Sequence, residues 1–187
     1  MDEESTSFMG WSINSNKSEH PMKKKIKIYV THPRYGNVPM HQQRIYSDDD
    51  IKNSYWGYKF VTFFRESAIL ADISKQNYTT FPRGLYVDIE MRCVECNREF
   101  IFYALEQKYW YEILGFYIDT DCTKCIDCRN NEKKIKEKKS KYEVLITKKG
   151  RTLLEIKELK EISFELFEIG YLKNKGNLAQ ILNMKED

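Results

Sequence analysis

The sequence lacks the features of a membrane protein and of a secreted protein. It contains no apolar run near the roughly 18–20 residues that a membrane-spanning helix requires. Residues 1–19 are acidic at the start and rich in Ser and Asn, so they lack the basic start and apolar stretch of a secretory signal. We therefore expect a cytoplasmic protein without a membrane partner, in a compartment where thiols stay reduced.

Net charge and histidine are also scarce. The 31 basic and 28 acidic residues leave a formal charge of +3, whereas proteins that coat nucleic acid by electrostatics alone are far more basic. The three histidines, at positions 20, 32 and 41, all lie in the N-terminal part, far in sequence from the cysteines.

Aromatic residues, in contrast, are plentiful. The 13 Tyr and 10 Phe are enough to bury a sizeable core, which excludes a disordered chain. We interpret the aromatic stretch 55–64 as core or a small packing interface, with a base-stacking platform as the alternative. Periodicity and capping signals predict strands over 26–30, 86–91 and 100–103, and helices over 47–54, 104–114, 129–147, 152–169 and 178–182.

Some of these elements carry more specific expectations. The three aspartates at 48–50 favour the dipole of a helix that begins there, and we interpret them as a cap or a solvated loop rather than a divalent-ion site. In helix 104–114, Leu105, Tyr109 and Ile113 form one apolar stripe. Pro33 and Gly36 predict a turn at 32–37.

Four of the five cysteines form two C-x-x-C pairs, Cys93 with Cys96 and Cys125 with Cys128. Two residues between paired thiols let both sulfurs face one point, and two such pairs supply the tetrahedral sulfur set that zinc prefers. Buried free thiols and an iron–sulfur cluster are the alternatives. Catalytic zinc sites keep one position open and often use histidine or a carboxylate, whereas four Cys close the coordination shell. We therefore predict one structural zinc ion, no catalytic residues and a protein that is not an enzyme.

The fifth cysteine creates a second register, since Cys122 and Cys125 are also separated by two residues. We favour Cys125 with Cys128 because a helix is predicted to begin at Cys128, where backbone N–H groups stabilise thiolates. Cys122 is then a loop thiol, an outer-shell residue or an alternate ligand. Nearby cations are expected to offset the thiolate charge: Arg92, Lys124 and Arg129.

A longer pattern around these cysteines resembles a known family. The pattern comprises Tyr86-Val87-Asp88, Cys93-x-x-Cys96, Phe100-Ile101-Phe102, Glu106 to Tyr111, Gly115-Phe116 and Cys125-x-x-Cys128-Arg129. It resembles the probable zinc-ribbon family, sometimes classed as treble-clef-like, over about residues 74–132. The resemblance implies ligands at Cys93, Cys96, Cys125 and Cys128 and carries no established activity. More loosely, the whole chain resembles bacterial proteins with this module between a β-rich part and a helical tail.

These observations predict an α+β fold with a small zinc-ribbon or treble-clef-like module of short antiparallel strands. We expect a flexible tail at 1–22, a β-rich N-terminal extension at 23–85, the zinc-ribbon module at 86–135 and a helical C-terminal region at 136–187. Within the module, Glu106 could act as an acid or base beside the zinc. We favour a structural role, in which Glu106 or Gln107 hydrogen-bonds the backbone or Arg129, because no histidine or second carboxylate accompanies it.

The segment after the cysteines indicates the partner. Residues 129–151 contain ten basic residues and three acidic ones, and Lys23, Lys24, Lys25 and Lys27 form a second basic cluster. Such patches attract phosphates, so we expect nucleic acid or a ribonucleoprotein as partner, although a solvated helix of mixed charge is an alternative. The other candidate is a protein–protein adaptor that uses the amphipathic helix 152–169, which is rich in Glu. The sequence leaves the oligomeric state open.

Overall fold

The computed structural model describes residues 27–185. The predicted tail at 1–22 and the lysines at 23–25 lie outside the described residues. The described part has one three-stranded antiparallel sheet and five α-helices, so the predicted α+β fold class is confirmed. None of these helices combines the length and apolar content that crossing a bilayer would require.

The sheet is built from strands β1 (Phe63–Leu70), β2 (Leu85–Arg92) and β3 (Glu99–Phe102), in that spatial order. Strand β2 is central, and its first five residues are buried because packed elements cover both of its faces. The predicted strands at 86–91 and 100–103 are therefore confirmed. Strand β1 was not predicted, because a register shift between Phe64 and Ile69 interrupts its alternation.

That irregularity in β1 is held by a buried serine. The Ser67 hydroxyl donates to the Phe64 carbonyl at 2.7 Å and accepts the backbone N–H of Asp88 at 2.7 Å. A bulge of this kind leaves backbone groups without ladder partners. The hydroxyl of Ser67 replaces those partners and keeps β1 attached to β2.

The strand predicted at 26–30 is not formed in its described part, Lys27–Val30. A single backbone hydrogen bond, from Val30 N–H to the Glu99 carbonyl at 2.9 Å, attaches this segment to the edge of β3. One such bond does not make a ladder. The turn that follows is confirmed, since His32 and Gly36 exchange two backbone hydrogen bonds and Gly36 has a φ of 81°.

Helix α1 (Asp48–Ser54) begins with a capping box. The Ser47 side chain accepts the Asp50 N–H, and the Asp50 carboxylate accepts the Ser47 N–H. Asp50 therefore caps the helix, as expected, while Asp48 and Asp49 lie in its first turn, where they favour the helix dipole. The aromatic stretch that follows is divided: Tyr55 and Tyr58 are buried, as a core role requires, whereas Trp56 and Phe60 are 54% and 80% exposed.

Helix α2 (Ala104–Lys108) continues as one π turn at Tyr109–Ile113. The expected apolar stripe is wrong, because Tyr109 and Ile113 are exposed. The buried face instead carries Ala104, Gln107 and Tyr111. The wider π turn changes the periodicity, and the Gln107 amide donates to two sheet carbonyls, those of Val87 at 2.6 Å and Phe102 at 2.9 Å.

The C-terminal region contains α3 (Ile126–Thr147), α4 (Leu153–Glu168) and α5 (Lys175–Leu182). Helix α3 begins three residues before the start of the helix predicted over 129–147. The second half of α3 packs antiparallel to α4, and both contact α5 through a shared apolar cluster of Leu145, Leu159, Ile162, Leu166 and Ile181. The predicted amphipathic helix at 152–169 is confirmed, and a capping box of Thr152 and Glu155 starts it.

Candidate metal centre

The first cysteine pair lies in the turn that connects β2 to β3. The Cys93 N–H donates to the Arg98 carbonyl, and the Asn97 N–H donates to the Cys93 carbonyl, both at 2.9 Å. Asn97 has a φ of 61°, a conformation that Asn tolerates better than most residues. This tight turn directs the sulfurs of Cys93 and Cys96 to the same side.

The second pair lies at the start of α3. Cys125 is the N-cap residue of the helix, and Cys128 is its third residue. The Cys128 amide favours the Cys125 thiolate, as a helix N-terminus is expected to do, although burial has the larger effect and raises the pKa of Cys125. The Val94 N–H donates to the Thr123 carbonyl at 3.0 Å and thereby joins the two cysteine-bearing segments.

The four sulfur atoms of Cys93, Cys96, Cys125 and Cys128 all lie within 4.8 Å of one another. A tetrahedral site with metal–sulfur distances of about 2.3 Å has sulfur–sulfur edges of about 3.8 Å. The Cys96 and Cys125 sulfurs are 3.7 Å apart, so the arrangement fits a metal ion in a four-sulfur shell. The structure thus brings together the four predicted ligands, while their binding of a metal stays a prediction.

The pKa values of the thiols differ across the cluster. Burial opposes ionisation of Cys93, but hydrogen bonds from the Cys96 amide and two neighbouring amides outweigh it and lower the Cys93 pKa to about 6. Burial, followed by interaction with the surrounding sulfurs, raises the pKa of Cys128 to about 12. Four thiols this close cannot all ionise without a compensating charge. A dication at their centre would supply that charge.

Arg98 is the cation closest to the cluster, and the sequence interpretation missed it. Its Nε donates to the Cys96 sulfur at 3.3 Å and lowers the pKa of Cys96, while its Nη2 pairs with Asp127 at 2.9 Å. Arg98 therefore links the turn to the first turn of α3. Its position two residues after Cys96 was the available signal, because the chain reverses there and returns the side chain to the sulfurs.

The three cations that were expected to offset the thiolates have other partners. Arg92 pairs with Glu99 at 2.7 Å, Lys124 with Glu132 at 3.1 Å, and Arg129 with Glu106 at 2.7 Å. Long charged side chains pair with whichever opposite charge lies close in the folded structure, and closeness to the cysteines in sequence does not identify that charge. The hydrogen bond from Arg129 to Glu106 nevertheless matches the structural role that was favoured for Glu106.

Cys122 lies outside the group of four among the described residues. Its thiol is buried in the apolar cluster beside Phe100 and Phe102, and donates to the Lys124 carbonyl at 3.4 Å. Burial raises its pKa to about 12, so the thiol stays protonated and is a poor nucleophile or ligand. Of the two registers, the geometry matches the one in which Cys128, and not Cys122, completes the set.

The expectation that no histidine accompanies Glu106 is wrong. The turn at 32–36 packs against α2 and places His32 Nε2 3.7 Å from Glu106, while the ring stacks on Tyr35. Burial lowers the pKa of His32, and its Nδ1 accepts the Arg34 N–H at 3.1 Å. His32 is therefore a neutral imidazole that these contacts hold in place. Its contact with Glu106 joins the N-terminal turn to α2 beside the cysteine cluster.

Comparison with known proteins agrees with this geometry. Residues 87–137 match the model of a family described as a probable treble clef domain, which begins later and ends later than the resemblance noted from the sequence. No curated protein and no solved structure shows significant similarity to the chain. The segment that holds the cysteine cluster is therefore a zinc-ribbon-like, treble clef domain.

Proposed function

We propose that Cys93, Cys96, Cys125 and Cys128 bind one Zn²⁺ ion and that this zinc is structural. The carrying observation is the closed set of four sulfurs within 4.8 Å, which leaves no open position for a substrate. The metal joins the β2–β3 turn to the first turn of α3, two segments that are distant in sequence. Its binding energy is then available to the fold.

We propose no enzymatic activity for this site. A catalytic role would require a general acid or base that is free to act. Glu106, the nearest candidate, is 6% exposed and is held by Arg129 and His32. The neutral His32 ring has its Nδ1 occupied by a backbone N–H. Both side chains are better described as packing and hydrogen-bonding partners that position α2.

The role that we propose for the module is binding of nucleic acid through the first half of α3. Residues 130–134, 136 and 137 are exposed, and only Ile135 is partly covered. Lys133, Lys134 and Lys136 extend from this part of the helix into solvent. Lys133 also has a long, exposed contact with Glu137 of the same helix, at 3.9 Å, which leaves its ammonium group accessible to a phosphate. A helix that is covered at both ends and exposed in the middle presents such cations to an extended polyanion.

Fewer lysines of the predicted basic patch are available to phosphates than the sequence alone indicates. Lys138 pairs with Glu165, Lys141 with Glu158 and Lys148 with Glu155, all of them glutamates of α4. These lysines stabilise the pairing of α3 with α4 and are less available to phosphates. The cations that support the proposal are therefore those nearer the cysteine cluster: Lys133, Lys134 and Lys136.

The test is a salt-dependent binding measurement with single-stranded and duplex oligonucleotides of random sequence. Three phosphate contacts on a duplex predict a loss of about 40-fold in affinity when salt rises from about 50 to 200 mM. The triple variant Lys133→Glu, Lys134→Glu, Lys136→Glu should abolish binding. A matched control, Lys173→Glu, Lys175→Glu, Lys185→Glu, changes the net charge equally on exposed lysines elsewhere and should bind far better. Equal losses in the two variants would contradict a local site.

A protein–protein adaptor is the second candidate, and one observation favours it. The apolar face of α4, which was expected to dock a partner, packs against α3 and α5 instead. Leu153 and Phe164, three helical turns apart on α4, nevertheless remain about half exposed. The adaptor predicts that Leu153→Ser with Phe164→Ser removes self-association or a co-purifying protein, and that nucleic-acid binding is unchanged.

A further inference from the structure

Arg83 is a buried cation that lies ten residues before Cys93 in the sequence and outside the cysteine cluster. The residue is 2% exposed. Its backbone is fixed by Gln76, whose amide accepts the Arg83 N–H at 3.0 Å and donates to the Arg83 carbonyl at 2.8 Å. The guanidinium carbon lies 4.1 Å from the ring centre of Tyr55 and 4.7 Å from that of Tyr111.

This guanidinium has no anionic partner among residues 27–185. None of their ion pairs includes Arg83, and its Nε is buried without a hydrogen-bond partner. The tyrosine rings stabilise the charge through their faces, and the hydroxyls of Tyr55 and Tyr58 are neutral acceptors for the guanidinium. They leave the Nε–H without an acceptor and the positive charge without an anion. Because arginine is almost never fully buried without an anionic partner, the arrangement indicates a ligand that supplies a negative charge.

A cavity of about 280 Å³ lies next to Arg83. Tyr55 and Tyr58 form part of its wall, and the exposed rings of Trp56 and Phe60 stand at its rim. Asp119 and Asp121 also line the cavity. One carboxylate oxygen of Asp119 accepts the Tyr55 hydroxyl at 2.5 Å, which fixes the position of that acid.

We propose that this cavity binds a small zwitterion of the α-amino acid class with an aromatic side chain. The carboxylate of the ligand pairs with the guanidinium of Arg83, a geometry that permits two parallel hydrogen bonds. Its ammonium group lies toward Asp119 and Asp121, and its ring packs against Trp56 and Phe60. A ligand with several negative charges would be repelled by the two aspartates.

The size of the cavity agrees with this ligand class. Pockets for drug-sized molecules have volumes of about 300–1,000 Å³, and the cavity lies just below that range. An aromatic amino acid is smaller than such molecules and has one group for each feature of the cavity. This site uses none of the proposed zinc ligands and none of the lysines proposed to bind nucleic acid, so either proposal can fail without the other.

The first test uses the full-length, zinc-loaded protein and isothermal titration calorimetry with L-phenylalanine. Two matched probes are 3-phenylpropionate, which lacks the ammonium group, and phenethylamine, which lacks the carboxylate. We expect saturable binding of L-phenylalanine. The affinity for 3-phenylpropionate should be about fivefold lower, and the affinity for phenethylamine about 100-fold lower. Equal affinity for L-phenylalanine and either probe, or no heat from any of the three, would overturn the proposal.

The second test uses variants. Arg83→Met should weaken L-phenylalanine binding by about 100-fold, whereas Arg65→Met, at an exposed arginine that pairs with Glu66, should not change it. The double variant Asp119→Asn, Asp121→Asn should bind L-phenylalanine and 3-phenylpropionate equally. Both aspartates are exposed, so this variant is informative even if Arg83→Met fails to fold. If the double variant still prefers L-phenylalanine to 3-phenylpropionate as strongly as the wild type does, the proposed position of the ammonium group is wrong.

Discussion

Two buried cysteines with different positions relative to the cluster provide the sharpest test of the metal site. Cys125 belongs to the group of four sulfurs, and Cys122 lies outside it. Their exposures are 0% and 1%, so Cys125→Ala and Cys122→Ala remove the same atom from equally buried positions. Any difference between the two variants therefore measures the metal, because the loss of packing is matched.

The expected difference is large. Loss of a buried sulfur costs about 1 kcal/mol by transfer, which for a chain of 187 residues lowers the melting temperature by about 2–4 °C. That is the whole effect expected of Cys122→Ala. Cys125→Ala also removes zinc binding, which contributes about 10–16 kcal/mol in isolated zinc fingers. Since a domain is stable by only about 5–15 kcal/mol, the cysteine-bearing segment should not fold in that variant.

The assay combines metal content by mass spectrometry with urea unfolding followed by circular dichroism. Wild type and Cys122→Ala should each carry one zinc per chain, and Cys125→Ala should carry none. Retention of one zinc by Cys125→Ala, with a stability like that of Cys122→Ala, would refute the site. Loss of zinc from Cys122→Ala while Cys128→Ala retains it would show that the other register is used.

Three further variants test single contacts. Arg98→Gln should weaken zinc binding about tenfold in a chelator competition, whereas Arg92→Gln, whose guanidinium pairs away from the sulfurs, should not. Burial lowers the pKa of His32 below 6.5, so the unfolded chain binds the proton more readily than the folded chain, and the free energy of unfolding falls as pH drops through 6.5. The urea midpoint of His32→Asn should therefore depend less on pH between about 7.5 and 6.0 than that of the wild type. Leu159→Ala should cost about 3 kcal/mol in urea unfolding, whereas Leu154→Ala, at an 80% exposed position of the same helix, should cost under about 0.5 kcal/mol.

The elements predicted well from the sequence are those specified by local signals. The capping residues Ser47 and Thr152 start helices where expected, and strand β2 leads directly into Cys93. The C-x-x-C pairs also carry their geometry locally, because two intervening residues fix a turn. Each of these signals is contained within a few residues and needs no knowledge of the partner segment.

The features that were missed depend on contacts between distant segments. His32 approaches Glu106 across 74 positions of sequence, and no local pattern encodes that approach. The glutamates of α4 pair with Lys138 and Lys141, and that pairing follows only from the antiparallel packing of α3 on α4. Strand β1 was not predicted because its bulge at Ser67 breaks the alternation that would identify it.

The path of α3 links the metal to the proposed binding surface. The helix has 22 residues without interruption, a length of about 33 Å, and its first turn is attached to the β2–β3 turn through the cysteine cluster. Its second half is fixed by α4 and α5 through Leu145. Lys133, Lys134 and Lys136 lie between these two attachments, so the direction in which they face relative to the sheet depends on both. Removal of zinc should therefore weaken nucleic-acid binding even if the cluster around Leu145 stays folded, since the lysines would keep their charge but lose their fixed position.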